Sequence, residues 1–276
     1  MSENTEKEIV KEIAKSVYED AGQAIAKPTG ELVGLIPRAI KAALAPVEKW
    51  VMQREYNLAE TKKLLEYKLQ NIKPELIEPP EPYVAVPALQ SISYCMDNNE
   101  LREMYANLLA NSMISVVKNG VHPGFVEIIK QLCPDEAKIL RYIYEHKSIP
   151  TITLRWEDKE GSGFELLKNF SNVGELTGCE TPFEMAKYFD NLIRLGLINS
   201  SSVLSSLTNK DVYAPLKEHS FIEPYKTYTN ESDNAKGSEL HIHEGFMRIS
   251  EFGKAFCYIC LDVTKMTASN GEQGEC

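Results

Sequence analysis

The stretch TPFEMAKYFDNLIRLGLI, residues 181–198, decides the predicted fold of the C-terminal half. Thr181-Pro182-x-Glu184 is a capping-box pattern with proline at the first helical position, so a helix should begin there. Apolar residues recur at helical spacing until Gly196, which ends the predicted helix. Leu197 and Ile198 then leave the helix as a short strand.

Elements on both sides of this stretch extend the pattern. Alternation of Ile152, Leu154 and Trp156 with polar residues predicts a short strand, and Phe164–Leu176 predicts a helical stretch after it. The resulting order of helix, strand, helix, helix, strand and terminal helix is that of a winged helix-turn-helix unit. A simple wing is short, so residues 199–238 are predicted to be a long insertion.

The strand that follows the insertion has apolar residues in two different phases. Leu240 and Ile242 fall on one face of an extended chain, whereas Met247 and Ile249 fall on the other. A β-bulge near Gly245 would bring both pairs to the same core, and glycine suits such a position. The sequence therefore predicts a bulged strand.

Three closely spaced helices are predicted in the middle of the chain. Asp97-Asn98-Asn99 offers caps for a helix over 100–117, His122-Pro123 starts a short helix, and Cys133-Pro134-Asp135 starts a third. The short connections between them indicate a compact bundle. Five prolines between residues 74 and 87 predict an extended linker in front of this bundle.

The N-terminal region is predicted to be helical and locally basic. Within Lys27–Lys73, nine basic residues stand against five acidic ones. This apolar, basic stretch suits an anionic membrane surface, or a helical hairpin that packs on the bundle or on another subunit. The candidate membrane or oligomer surface consists of Leu35, Ile36, Ile40 and Lys41.

These elements predict a mainly α protein with an N-terminal helical region, a central helical bundle and a C-terminal winged-helix-like α+β unit. A chain of 276 residues with 43% hydrophobic content is long enough for more than one domain. The predicted divisions are an amphipathic helical region over 1–78, a helical segment over 79–132, a winged-helix-like domain over 133–263 and a flexible tail over 264–276.

Composition and charge restrict the functional class. A net charge of −10 disfavours a general nucleic-acid binder, and residues 151–276 hold 12 basic against 19 acidic residues. The first residues are polar and acidic, unlike a signal peptide, and no apolar run approaches the roughly 20 residues of a spanning helix. We therefore expect a cytoplasmic protein with reduced cysteines.

Candidate chemical groups are sparse. His122 with Asp135 and Glu136 could form an acid–base group, but no nucleophile, Gly-rich turn or paired-carboxylate pattern accompanies them. His241-x-His243 and Cys257-x-x-Cys260 could supply four zinc ligands. The two cysteines lie beside the apolar stripe of the last predicted helix, however, which favours core packing. The sequence therefore favours a non-enzymatic protein without a cofactor or metal.

Several residues are candidates for contacts with a partner. Glu103, Asn107 and Asn111 are spaced by four and form a polar ridge, which could be solvated or could hydrogen-bond across a helix interface. Lys187 and Arg194 are the basic residues of the candidate recognition helix, where two acidic residues balance them. The candidate interaction residues are Glu103, Asn107, Asn111, His122, Phe125, Lys187 and Arg194.

Three runs carry a family resemblance: NNELREMYANLLANSM over 98–113, VHPGFVEIIKQL over 121–132 and PDEAKIL over 134–140. Together they resemble the Abi-alpha abortive-infection family of bacterial proteins. The run ISEFGKAFCYIC over 249–260 is similar to the closing segment of that family. The resemblance covers about Pro79 to Leu261 and implies defence against bacteriophage by an abortive or growth-arresting response, without a defined reaction.

Three functions are compatible with these patterns. The leading hypothesis is a non-enzymatic phage-defence protein that acts through a protein partner or a homo-oligomer and could touch a membrane surface with its N-terminal region. The first alternative is a winged-helix DNA-binding transcriptional regulator, which the charge balance disfavours. The second alternative is an unrecognised enzyme such as a nuclease.

Overall fold

The computed structural model describes residues 60–201, 206–226 and 239–261. All of them belong to one compact unit, Asn57–Cys276. The candidate surface at Leu35, Ile36, Ile40 and Lys41 lies outside the described residues, as do the predicted tail and part of the predicted insertion.

The described chain begins with a series of helices. They are α1 (60–69), α2 (Pro82–Ile92), α3 (Asn99–Ser112), α4 (Gly124–Lys130) and α5 (Pro134–His146). The predicted cap of α3 is confirmed, because Asn98 Oδ1 accepts a hydrogen bond from the Leu101 N–H at 2.9 Å. Pro134 opens α5 at a position where its missing N–H costs nothing.

The predicted end of α3 at residue 117 is wrong, because the chain leaves the helix at Ser112 and pairs with an earlier segment. The Ser115 N–H donates to the Leu76 carbonyl at 2.9 Å, and the Glu78 N–H donates to the Met113 carbonyl at 2.8 Å. These bonds use backbone groups that a longer helix would need for itself.

The proline-rich segment is an extended linker only in part, because α2 begins at Pro82 and contains Pro87. A proline inside a helix removes one backbone hydrogen bond and disfavours helix formation. Val84 and Ala88 are buried in the main core, where α2 packs against α3. Burial of these side chains therefore outweighs the cost of a proline inside the helix, which was the basis for predicting a linker.

Four strands form an antiparallel sheet in the order β2-β1-β4-β3. The strands are β1 (Ser148–Glu157), β2 (Gly163–Phe170), β3 (Ile198–Ser200) and β4 (Glu239–Ile249). The remaining longer helices are α6 (Met185–Arg194) and α7 (Glu251–Cys260). β1 and β3 confirm the strands predicted around Leu154 and Ile198.

The predicted helical stretch over Phe164–Leu176 is wrong for most of its length. Its first part is β2, which pairs with β1, and only Val173–Leu176 forms a short helix. The turn between the strands is stabilised by Asp158, whose side chain accepts two backbone hydrogen bonds, and by Gly161, which has φ +81°. Pairing with β1 outweighs the helical spacing of the apolar residues.

The predicted bulge near Gly245 is wrong, because β4 pairs with β1 in a continuous register from Glu239 to Arg248. The two apolar phases instead serve two cores on opposite faces of the sheet. Met247 packs with the helices in the main core, whereas Ile242 packs in a second cluster. A strand that is buried on opposite faces at its two ends changes phase without a bulge.

Part of the predicted insertion builds the second core. Residues 206–226 bury Tyr213, Leu216 and Ile222 against this face of the sheet. The Tyr213 hydroxyl donates to the Gly245 carbonyl at 2.9 Å and so fixes the segment to β4. The described part of the insertion is therefore packed and is not a simple wing.

The protein is mixed α+β, and the predicted helical content is confirmed. The main core runs from Leu69 in α1 to Leu261 after α7 and draws on both predicted segments, 79–132 and 133–263. The domain division and the winged-helix assignment stay predictions. Among the helices in the described ranges, none has the length and apolar character needed to cross a membrane.

We predict that Gly253→Ala destabilises the protein, because a Cβ at this position of α7 would overlap the Leu197 carbonyl. Overpacking of this kind costs about 1–3 kcal/mol. Gly120→Ala is the matched control, since the atom nearest to its Cβ would be Ile259 Cδ1 at 3.8 Å. Thermal unfolding of both variants tests the prediction, and equal melting temperatures would contradict the close packing of α7.

Candidate functional site

α2 is apolar on both of its sides. From Pro82 to Met96 the sequence contains no charged residue. Val84, Ala88 and Ile92 are buried in the main core. A helix on the outside of a protein normally turns a polar face to water. The opposite side of α2 does not follow this rule.

That side exposes large apolar and aromatic side chains. Tyr83 is 61% exposed, Val86 52% and Leu89 36%, and their spacing of three residues distributes them along the solvent side of the helix. Tyr94 is 70% exposed just beyond the helix. We call Tyr83, Val86, Leu89 and Tyr94 the α2 surface. Contiguous apolar residues that face water are typical of a contact site.

Acidic residues flank the α2 surface at both ends. Glu81 precedes the first turn of α2, Asp97 follows Tyr94 and Met96, and both acidic residues are exposed. Glu78 lies further upstream and is paired with Lys118. An apolar stripe between carboxylates suits a partner that is apolar in the middle and basic at its ends.

Two of the predicted interaction residues form hydrogen bonds with backbone carbonyls of the same chain. Asn107 Nδ2 donates to the Cys260 carbonyl at 2.9 Å, and Asn111 Nδ2 donates to the Ile259 carbonyl at 2.7 Å. Both asparagines are buried. The sequence left two alternatives for the polar ridge, which were solvation and hydrogen bonding across a helix interface. The second applies to these asparagines, and the interface lies within the chain, between α3 and α7. Glu103, the third residue of the ridge, forms an ion pair with Lys68 at 2.6 Å.

His122 and Phe125 belong to an aromatic cluster at the start of α4. His122 is exposed, and its Nδ1 accepts a hydrogen bond from the Gly124 N–H at 3.0 Å. Phe125 is buried, with its ring centroid 5.3 Å from that of Phe256 and 5.7 Å from that of Phe252. Phe125 is therefore a core residue, and only His122 and Phe252 of this cluster reach the surface.

The two basic residues of α6 have partners within the same region. Lys187 pairs with Glu184. Arg194 donates from Nη1 to Gln131 Oε1 at 3.0 Å and from Nη2 to Asn191 Oδ1 at 2.7 Å. Arg194 is exposed, and these hydrogen bonds hold its guanidinium next to Gln131, directly after α4.

The alternative metal ligands are not brought together. His241 and His243 lie on β4, where His243 Nε2 is 2.9 Å from Glu157 Oε1. Cys257 and Cys260 are buried in α7, and this burial raises the pKa of both thiols. Throughout the described ranges, no group of three or more His, Cys, Asp or Glu side chains could hold a metal ion.

Asp135 has a structural role, although the sequence also suggested an acid–base one. Its carboxylate accepts hydrogen bonds from the N–H groups of Glu180 and Thr181 and from the Tyr188 hydroxyl, at 3.0 to 3.2 Å. Burial alone would raise the pKa of Asp135, but these hydrogen bonds lower it below its ordinary value. Burial also raises the pKa of Tyr188 to about 12. Asp135 thus fixes the turn that leads into α6.

The family described as abortive infection alpha matches residues 53–260. The chain belongs to the abortive infection alpha family. The predicted resemblance is therefore confirmed. The matched part of this abortive infection alpha protein extends to the last residue of α7 and includes the whole α2 surface.

One solved structure is similar to part of this abortive infection alpha protein. It is an uncharacterized protein from the hydrocarbon-degrading marine bacterium Alcanivorax borkumensis SK2, with 21% sequence identity and a TM-score of 0.37. The similarity covers 50% of this chain and 92% of the other. No curated protein matches this abortive infection alpha protein.

We missed the α2 surface in the sequence because its prolines indicated a linker. The signal that could have revealed it is the uncharged run over 82–96, since a solvated linker rarely lacks charge over such a length. Of the polar residues predicted to contact a partner, Asn107 and Asn111 are buried and donate to backbone carbonyls within the chain.

We predict that Asp135→Asn lowers the free energy of unfolding at neutral pH by about 1–3 kcal/mol, because the buried acceptor of three hydrogen bonds is weakened. The folded-state pKa of Asp135 is lowered. The stabilisation by the wild-type carboxylate is therefore present above the ordinary Asp pKa and lost as pH falls through the folded value. Asp190→Asn is the matched control, since Asp190 is exposed. Denaturant unfolding at several pH values measures both variants, and a pH-independent difference would contradict this role.

Proposed function

We propose that this chain is a non-enzymatic phage-defence protein that acts through protein–protein contact, and that the α2 surface is the contact. Membership of the abortive infection alpha family supports the defence role. The observation that carries the contact is the exposed, uncharged face of α2, whose opposite face is already buried in the main core.

The charges around the α2 surface favour a particular arrangement of subunits. Two α2 helices from different copies would bring Glu81 and Asp97 of one copy close to the same carboxylates of the other, which is repulsive. A second copy offers a better match in its sequence between Lys27 and Arg54, which is apolar and holds five basic against two acidic residues. We therefore propose a second copy of the chain as the partner.

DNA binding by a winged-helix unit is the second candidate function. Its support is the strand order β1-β4-β3 next to the short helix Val173–Leu176 and α6, which is the order of a winged helix once β2 and the insertion are set aside. The pairing of Lys187 with Glu184 and the acidic excess after residue 150 stand against it. We rank it below protein–protein contact for that reason.

We predict that the full-length protein is an oligomer and that Val86→Asp with Leu89→Asp makes it a monomer without protection against phage. Both side chains face water, so the fold and the melting temperature should be nearly unchanged. Light scattering measures the oligomer, and growth of bacterial hosts after phage challenge measures protection. Leu176→Asp is the matched control, because Leu176 is 59% exposed outside the α2 surface. A monomeric wild type, or an oligomer that survives the double substitution, would refute the proposed contact.

We also predict that duplex DNA of about 25 base pairs binds more weakly than about 1 µM at about 100 mM salt, because unpaired basic residues on α6 are too few to neutralise several phosphates. Fluorescence anisotropy with the full-length protein measures this. Submicromolar binding that weakens with salt and is lost in Lys187→Ala with Arg194→Ala would favour the second candidate function instead.

A further inference from the structure

A groove of about 730 Å³ lies where the end of α5, the end of β4 and the start of α7 meet. Its lining includes Lys147, Arg248 and Lys254. The proposed contact at α2 does not involve these side chains. The volume falls in the range of small-molecule sites, which is about 300–1,000 Å³.

Two of the basic side chains in this groove have no acidic partner. Lys254 forms an ion pair with Glu251 at 2.6 Å, whereas Lys147 and Arg248 form no ion pair with any residue of the described ranges. On the sheet, Arg248 lies between Ser148 of β1 and Asn199 of β3, which are uncharged. The positive charge of Arg248 is therefore left uncompensated by its strand neighbours.

The backbone at Lys147 is strained. Lys147 follows α5 with φ +67° and ψ −38°, a region that residues with a Cβ rarely adopt and that glycine adopts readily. Glycine is the usual residue where a helix ends in a positive φ. A lysine in this backbone conformation therefore lowers the stability of the fold relative to a glycine. Such strain is common where a side chain has a function.

We propose that this groove binds the phosphate group of a small ligand. Arg248 presents a planar fork of donors that matches phosphate oxygens, and Lys147 adds a second positive charge from the end of α5. Glu145 and Glu251 also line the groove. These carboxylates repel an extended polyanion, so a compact phosphate ligand fits the groove better than a nucleic-acid backbone.

The test uses the full-length protein and calorimetric titration with pyrophosphate, AMP, ATP and a single-stranded oligonucleotide. We expect at least one of pyrophosphate, AMP and ATP to bind, with affinity that falls as salt is raised. Arg248→Gln should weaken this binding at least tenfold. Lys159→Gln is the control, since Lys159 is an exposed lysine in the turn between β1 and β2, and it should bind as the wild type does.

Lys147→Gly separates a binding role from a structural one. This substitution removes the charge and relieves the backbone, so the melting temperature should rise by a few degrees while affinity for the phosphate ligand falls about tenfold. Three results would overturn the proposal: no binding of pyrophosphate, AMP or ATP at millimolar concentration, unchanged affinity in Arg248→Gln, or tighter binding of the oligonucleotide than of any of these ligands. Equal affinity for pyrophosphate and ATP would support recognition of the phosphate group alone, and tighter binding of ATP would support a nucleotide as the source of that phosphate. None of these results depends on the α2 surface.

Discussion

The described fold depends on how α7 is held at both of its ends. At its carboxyl end, the amides of Asn107 and Asn111 reach across 153 and 148 positions of sequence to the last carbonyls of the helix. At its amino end, Ser250 Oγ accepts the Gly253 N–H and donates to the Gly196 carbonyl. A buried amide without its partner costs about 1–3 kcal/mol, so these bonds tie the first and last parts of the core strongly together.

The sheet gives the protein two cores because it is covered on both faces. The main core lies on the face that carries Met247, and the smaller one lies on the face that carries Ile242. The smaller core needs the insertion, since its fully buried side chains outside the sheet are Tyr213, Leu216 and Ile222. The described part of the insertion, residues 206–226, thus covers apolar strand residues that would otherwise face water.

Local signals were sufficient for part of the fold. The cap at Asn98, the proline at the start of α5 and the alternation around Leu154 each act within a few residues, and each was predicted correctly. The errors concern long-range pairing. β2 pairs with β1, and the chain around Ile114 pairs with Ile77. β4 is buried on two faces by different parts of the chain. Residues close in sequence do not reveal any of these contacts. The α2 surface was missed for the same reason, because only the burial of its other face shows that the segment is a helix.

α7 connects the two proposed sites, which are the groove and the α2 surface. Its first turn lines the groove through Glu251 and Lys254, its last turn is bonded to α3, and α3 packs against α2. A ligand changes a distant surface only when it binds two arrangements of the connecting element with different affinity. Both ends of α7 are bonded and its apolar side is buried, so a second arrangement would have to break the asparagine bonds. The bonds at both ends of α7 therefore favour two sites that act independently on one compact unit.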